Sequence, residues 1–270
     1  MKKILFASTA LVATAGVAAA DITFGGSANF GLYYDGNTTI VKNEIDFDIK
    51  GSGETDGGLK FGASMDFDAS SNNSAHTADQ TDRDPEVYIE MGGLKLTVGN
   101  IGEANDVGGI SDIGFDGLGV DDVVDDLREN GSDDVRVDYS FGDIAVAASV
   151  DSSNNQWAVS ASGSFSDFTA SAAYRDNDGT EDWNVTVGYS AGAFGVTATY
   201  AEAGNVDGWG LDATYTQGDL TVVAAYAERG AADAYGIGAS YSLGGGAAVA
   251  GGIAEVGNET VADLGMTFSF

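Results

Sequence analysis

The chain has 270 residues, no cysteine, one histidine and one proline, and its 42 acidic residues against 11 basic ones give a formal charge of −31. A surface this acidic repels nucleic-acid phosphates and attracts cations, and the lack of thiols excludes disulfides and cysteine metal centres. Aromatic residues reach 10% and recur along the chain, unlike those of acidic disordered sequences.

Lys2 and Lys3 open the chain, an apolar stretch runs from Ile4 to Val17, and Ala18-Ala19-Ala20 precedes Asp21. A short positive region, a short apolar run and a small-residue cleavage site make a secretory signal peptide over 1–20. The run is too short for a membrane helix, which needs roughly 20 apolar residues. The exported folded domain is therefore expected over 21–270, as one unit.

From there the chain repeats one pattern. Segments of about ten residues alternate apolar and polar and end at Gly, Asp, Asn or Ser, as in transmembrane β-barrels, where alternate side chains meet lipid and lumen. The first places Ile22, Phe24, Ala28, Phe30 and Leu32 on one face and Thr23, Ser27 and Asn29 on the other. The second sets Ile45, Phe47 and Ile49 against Glu44, Asp46, Asp48 and Lys50, and the third sets Leu59, Phe61, Ala63, Met65 and Phe67 against Lys60, Ser64, Asp66 and Asp68. The pattern predicts strands over 22–34, 40–50, 59–68, 85–91, 94–99, 134–141, 143–150 and 156–165. It continues over 167–175, 182–191, 193–202, 208–217, 219–228, 233–243, 246–255 and 260–270.

Sixteen is even, as a closed antiparallel barrel requires. Tight turns such as Gly92-Gly93, Gly142-Asp143 and Gly218-Asp219 follow even strands; the longer connections Ser70–Asp84, Asn100–Asp133 and Asp176–Glu181 follow odd ones. The linker 51–58 is an exception, being long on the short side. A soluble sandwich or solenoid also alternates, but a sixteen-stranded barrel has a lumen too wide for side chains to fill, so its apolar face must point into lipid.

The longest connection, 100–133, is the third on the long side, and a loop of that length is usually functional. It contains Asp112, Asp116, Asp121, Asp122, Asp125 and Asp126, with Arg128 as its one basic residue. Val120, Val123, Val124 and Leu127 recur at helical spacing, so a short amphipathic helix is expected, apolar face on the barrel wall and acidic face to water. The plain alternative is a solvated surface loop, against which Ile110, Ile113, Phe115 and Leu118 weigh.

Signal peptide, sixteen strands, an inward third loop and C-terminal Phe270 together resemble the general-diffusion porins. The acidity and short outer loops resemble the alphaproteobacterial, Rhodobacter-type branch. The resemblance covers 21–270 and implies a homotrimer of outer-membrane pores, each narrowed by its third loop. It also implies a transverse field between loop carboxylates and basic residues on the opposite wall. Lumen parity offers Lys42, Lys50, Lys60, Lys95, Arg136 and Arg175. Lys50, Lys60, Lys95 and Arg136 are the expected basic rim facing Asp112, Asp116, Asp121, Asp122, Asp125 and Asp126. The alternative is that they pair with neighbouring lumen acids such as Asp46, Asp48, Glu90 and Asp138. Phe270 resembles the signal read by the barrel-assembly machinery.

The function expected is passive diffusion of ions and small hydrophilic solutes, with cations preferred because acids so outnumber bases. The outer-membrane lipid and lipopolysaccharide are expected partners, nucleic acid is not, and no cofactor is required. Asp121, Asp122, Asp125 and Asp126 are candidate Ca²⁺ ligands, since related porins can carry the ion and it wants six to eight oxygens. A substrate-specific channel, or a non-conducting structural or adhesin barrel, is the alternative. An enzyme is not expected: His76 is the lone histidine, and no G-x-S-x-G, Walker A or H-E-x-x-H pattern occurs.

Overall fold

Strands with one apolar face leave backbone groups unpaired unless every edge finds a partner, and closing the sheet on itself removes the edges. The computed structural model of the protein is such a closed barrel; it describes residues 21–71, 84–128 and 131–270. The expected leader over 1–20, His76 and Glu129 lie outside the described residues.

The first eight strands are β1 (Asp21–Tyr34), β2 (Thr39–Glu54), β3 (Lys60–Ser71), β4 (Pro85–Met91), β5 (Leu94–Gly102), β6 (Ser132–Phe141), β7 (Ile144–Asp151) and β8 (Gln156–Phe165). The next are β9 (Phe168–Asn177), β10 (Thr180–Ala191), β11 (Phe194–Ala203), β12 (Val206–Gln217), β13 (Leu220–Arg229), β14 (Ala232–Gly244), β15 (Ala247–Val256) and β16 (Glu259–Ser269). Each strand pairs antiparallel with its chain neighbours, and β1 closes on β16. Phe270 completes the seam: its N–H donates to the Gly26 carbonyl and its carbonyl accepts from the Gly26 N–H, both at 3.0 Å.

All sixteen expected strands form, and most run a few residues past the alternating stretch because backbone pairing continues regardless of side-chain polarity. Extension of β2 to Glu54 shortens the 51–58 linker to Thr55–Leu59, and β9 and β10 leave only Asp178-Gly179 between them. The outward parity is apolar and exposed, as at Ile22, Phe24, Phe30 and Leu264. Aromatic pairs frame this band on β8–β13. Trp157–Tyr174, Trp183–Tyr200 and Trp209–Tyr226 lie at the loop end, and Phe168–Tyr189 and Phe194–Tyr215 at the turn end.

One irregularity directs the third loop. The β5–β6 register slips between Val98 and Ile101. Gly99 has φ +153°, and a Cβ there would lie 2.1 Å from the Pro85 carbonyl oxygen, so only glycine fits. Such a bulge bends its strand and changes the direction of the chain beyond it. Here Ile101 turns inward and is buried, and residues 103–128 enter the barrel.

The hydrophobic core is accordingly not between layers but between this loop and one arc of the wall. Ile110, Ile113, Leu118, Val120, Val123, Val124 and Leu127 pack on Ala201, Ala225, Ala227, Ala234, Ala254 and Val261. The expected helix is a single turn, α1 (Asp122–Asp125), lying against β11–β14. Val120, Val123, Val124 and Leu127 form its buried stripe. Asp125 departs from the expected wet face: it is buried, with its carboxylate held by Arg128 at 2.7 Å.

Candidate functional site

The wall under the loop is made of the smallest residues. A Cβ on Gly238 or Gly252 would lie 2.8 or 2.6 Å from Ile113 Cγ2, and one on Gly31 or Gly265 within 2.6 Å of the Phe115 ring. The missing side chains are the sockets into which the loop's large residues fit. This explains the glycines on the lumen parity of β14–β16 and β1, which alternation alone does not account for.

Polar groups then pin the loop along its path. Buried Glu103 receives Arg175 Nη1 at 2.7 Å, and Arg175 also binds Asp182, making a buried acid–base–acid triad on β9, β10 and the loop. The Ala104 N–H donates to Ser149 Oγ at 2.7 Å, and the Gly109 N–H to Thr186 Oγ1 at 3.1 Å. The Ser111 N–H donates to Asp212 at 2.7 Å. Asp263 accepts the Phe115 and Asp116 N–H groups at 2.8 and 3.3 Å, and the Gly252 N–H at 2.8 Å. Lys42 on β2 bonds Asp116 at 2.5 Å, and Arg229 on β13 bonds Asp126 at 2.9 Å. The loop is thus a belt laid from β7 round to β2, returning to β13.

The expected acidic residues divide. Asp116, Asp125 and Asp126 each have a basic partner. Asp112, Asp121 and Asp122 stand close enough to repel one another. Burial first, then Asp112, Asp122 and Asp125, push the Asp121 carboxyl up to about 7, and burial chiefly raises Asp112. Burial also raises Asp125, against the pull of Arg128. Among the described residues no group of three or more acidic or histidine side chains converges as metal ligands would.

The expected basic rim is not gathered against the loop carboxylates. Lys50 pairs with Asp48 at 3.1 Å, Lys60 with Glu90 at 3.2 Å and Arg136 with Asp138 at 3.0 Å, while Lys95 lies over the Tyr88 ring. Arg136 also donates to the carbonyls of Gly102 and Glu103, which fixes the loop's first residues. Among the described residues, Lys42 and Arg175, which share the lumen parity, and Arg229 are the bases that reach loop acids from the wall.

Chemically the lumen has two arcs. On β2–β4, Asp46 stands directly opposite Asp68 and Asp48 opposite Asp66, with Glu44 and Glu86 alongside. Glu44, Asp46, Asp48, Asp66 and Asp68 line an open recess of about 500 Å³. Like charges facing each other across strands repel, so this arc is a concentrated acidic stretch of the wall. From β7 to β16, below the loop, the wall carries hydroxyls, alanine and glycine; its carboxylates Asp212 and Asp263 are occupied by loop amides.

The family model for Gram-negative porins matches residues 7–261. No curated protein sequence matches the chain. Among solved structures, a variant of the Rh. blastica porin superposes with TM-score 0.79 at 25% identity, covering 93% of this chain and 100% of that one. A triple mutant of the Rhodopseudomonas blastica porin gives a TM-score of 0.79, 25% identity and the same coverage. Taken with the closed sixteen-stranded barrel and its inward loop, the match over nearly the whole chain shows that the protein belongs to the Gram-negative porin family, whose fold is that of an outer-membrane channel and not of an enzyme.

Proposed function

We propose that the protein is a general-diffusion porin that prefers cations. The observation that carries this is the β2–β4 arc, where Asp46, Asp48, Asp66 and Asp68 face one another across strands and Lys50 is bonded to Asp48. Hydrophilic solutes move down their gradients through water in the lumen. Loop residues 103–128 set the size limit, and the acidic arc concentrates cations beside the path. Salt weakens this preference, because charges are screened over about 8 Å at physiological ionic strength. Channel recordings of the purified protein in a planar bilayer test the reading. Stable ohmic steps are expected; a folded barrel with no conductance would leave a structural or adhesin role.

The working unit is proposed to be a homotrimer. Outward Trp and Tyr, which anchor barrels at the membrane interfaces, are concentrated on β8–β14. The arc from β15 through β16 to β5 presents instead Phe24, Phe30, Leu32, Val41, Val87 and Leu264. That arc suits a second copy better than lipid headgroups. Opposite carboxylates Asp176/Glu181, Glu202/Asp207 and Glu228/Asp233 stand on the outward parity at the loop-end rim. Lipopolysaccharide bridged by divalent cations is the partner that fits them. Phe270, outward and at the seam, is proposed as the assembly signal; its deletion should lower the yield of folded barrel.

A further inference from the structure

Beneath Gly108 and Gly109, on the turn side of the loop, the uncharged arc opens into a recess of about 620 Å³. Small-molecule sites occupy roughly 300–1,000 Å³. Its lining includes the hydroxyls of Ser162, Ser164, Thr169, Ser171, Thr186 and Thr197. Strand register places these hydroxyls side by side: Ser162 stands opposite Ser171, Ser164 opposite Thr169, and Ser171 opposite Thr186. Thr186 is engaged by the Gly109 N–H and by Thr199. Among the described residues the hydroxyls of Ser162, Ser164, Thr169, Ser171 and Thr197 have no protein partner.

A hydroxyl both donates and accepts, so a row of them matches a ligand that does the same at closely spaced positions. A cation has no reason to leave the acidic β2–β4 arc for this wall, and among the described residues an anion finds no base on it and Asp143 is the one charged residue at its edge. We propose that this recess is a weak subsite for neutral polyhydroxylated solutes of mono- or disaccharide size. The proposal rests on the porin reading and adds to it a solute class and a place. Among the described residues no aromatic ring lines the recess to stack on a sugar face, so affinity is of millimolar order, weak enough for release and passage.

The test uses sucrose as probe on the purified full-length protein. Swelling rates of liposomes bearing the protein are measured against sucrose concentration. KCl steps in planar bilayers, recorded on every preparation, report whether the pore conducts. Saturation of the sucrose rate is expected for the natural sequence. The combined variant Ser162→Ala, Ser171→Ala, Thr197→Val should raise the half-saturating concentration about tenfold or more, since each lost hydrogen bond to the solute is worth a few-fold. Ser162→Ala alone should give a smaller shift and guards against misfolding of the triple variant. Conductance with a sucrose rate that stays linear in the natural protein overturns the subsite and leaves the porin reading standing, as does saturation unchanged in a conducting triple variant. Absence of conductance overturns both.

Discussion

Gly252 offers the sharpest test of how the constriction is held. A Cβ on this residue would lie 2.6 Å from Ile113 Cγ2 and 3.1 Å from Leu118 Cδ1, with no backbone atom nearer than the Ile237 oxygen at 3.2 Å. Carbon atoms rest at about 3.5–4.0 Å, so Gly252→Ala must push Ile113 roughly 1 Å into the lumen. Overpacking of this kind costs about 1–3 kcal/mol. The same shift stretches the bonds from Phe115 and Asp116 to Asp263, which also holds the Gly252 N–H. Gly252→Ala should therefore lower single-channel conductance and destabilise the barrel in urea titrations from lipid vesicles. Ile113→Ala alone removes a buried side chain and should cost about 2–5 kcal/mol. Combined, the two changes should be less harmful than their sum, with a coupling of about 1–3 kcal/mol in a double-mutant cycle. Strict additivity, with conductance unaltered by Gly252→Ala, would refute the socket.

Asp263→Ala leaves three backbone donors without their acceptor, at a cost on the order of 1–3 kcal/mol for each that stays buried; open-channel noise should rise, and an unchanged noise spectrum would contradict its role as a pin. Arg175→Met strands Glu103 and Asp182 without their cation, which should destabilise the fold by about 3–5 kcal/mol in urea titration, and adding Glu103→Gln and Asp182→Asn should recover much of the loss. The carboxyl of Asp121, raised to about 7, binds its proton more tightly in the seated loop than in an unfolded chain. The seat is therefore firmest below about pH 4 and weakens as pH rises through about 7. Open-channel noise should grow between about pH 6 and 8, and Asp121→Asn should abolish that growth; a flat noise profile in the natural protein would contradict the clustering of Asp112, Asp121 and Asp122.

The barrel was legible because a period of two, repeated sixteen times, leaves little choice of fold: Ile22 to Leu32 and Ala262 to Phe270 show the same outward face that the structure gives them. The inward loop was legible from its length and from the stripe Val120, Val123, Val124 and Leu127. Its anchors were not. Asp212 and Asp263 look like any lumen-facing acids in sequence, and only the path of the loop puts backbone amides against them. Gly31, Gly238, Gly252 and Gly265 carry no pattern at all until Ile113 and Phe115 are seen above them. The lumen bases were identified by parity, but parity does not say which carboxylate each will meet. Lys50, Lys60 and Arg136 have acids on an adjacent or the same strand within reach, and the shorter path wins. A short signal did mark two of the bases that reach loop acids: Lys42 and Arg175 share the lumen parity and lie toward the loop end of their strands.

Reversal potential in a planar bilayer under a KCl gradient bears most directly on the central claim. The natural protein should be cation-selective. Neutralising Asp46, Asp48, Asp66 and Asp68 together should reduce that selectivity more than neutralising Asp125 and Asp126, whose carboxylates are bonded to Arg128 and Arg229. An anion-selective pore, or a selectivity indifferent to the four wall carboxylates, would contradict the claim that the acidic arc decides which ions pass.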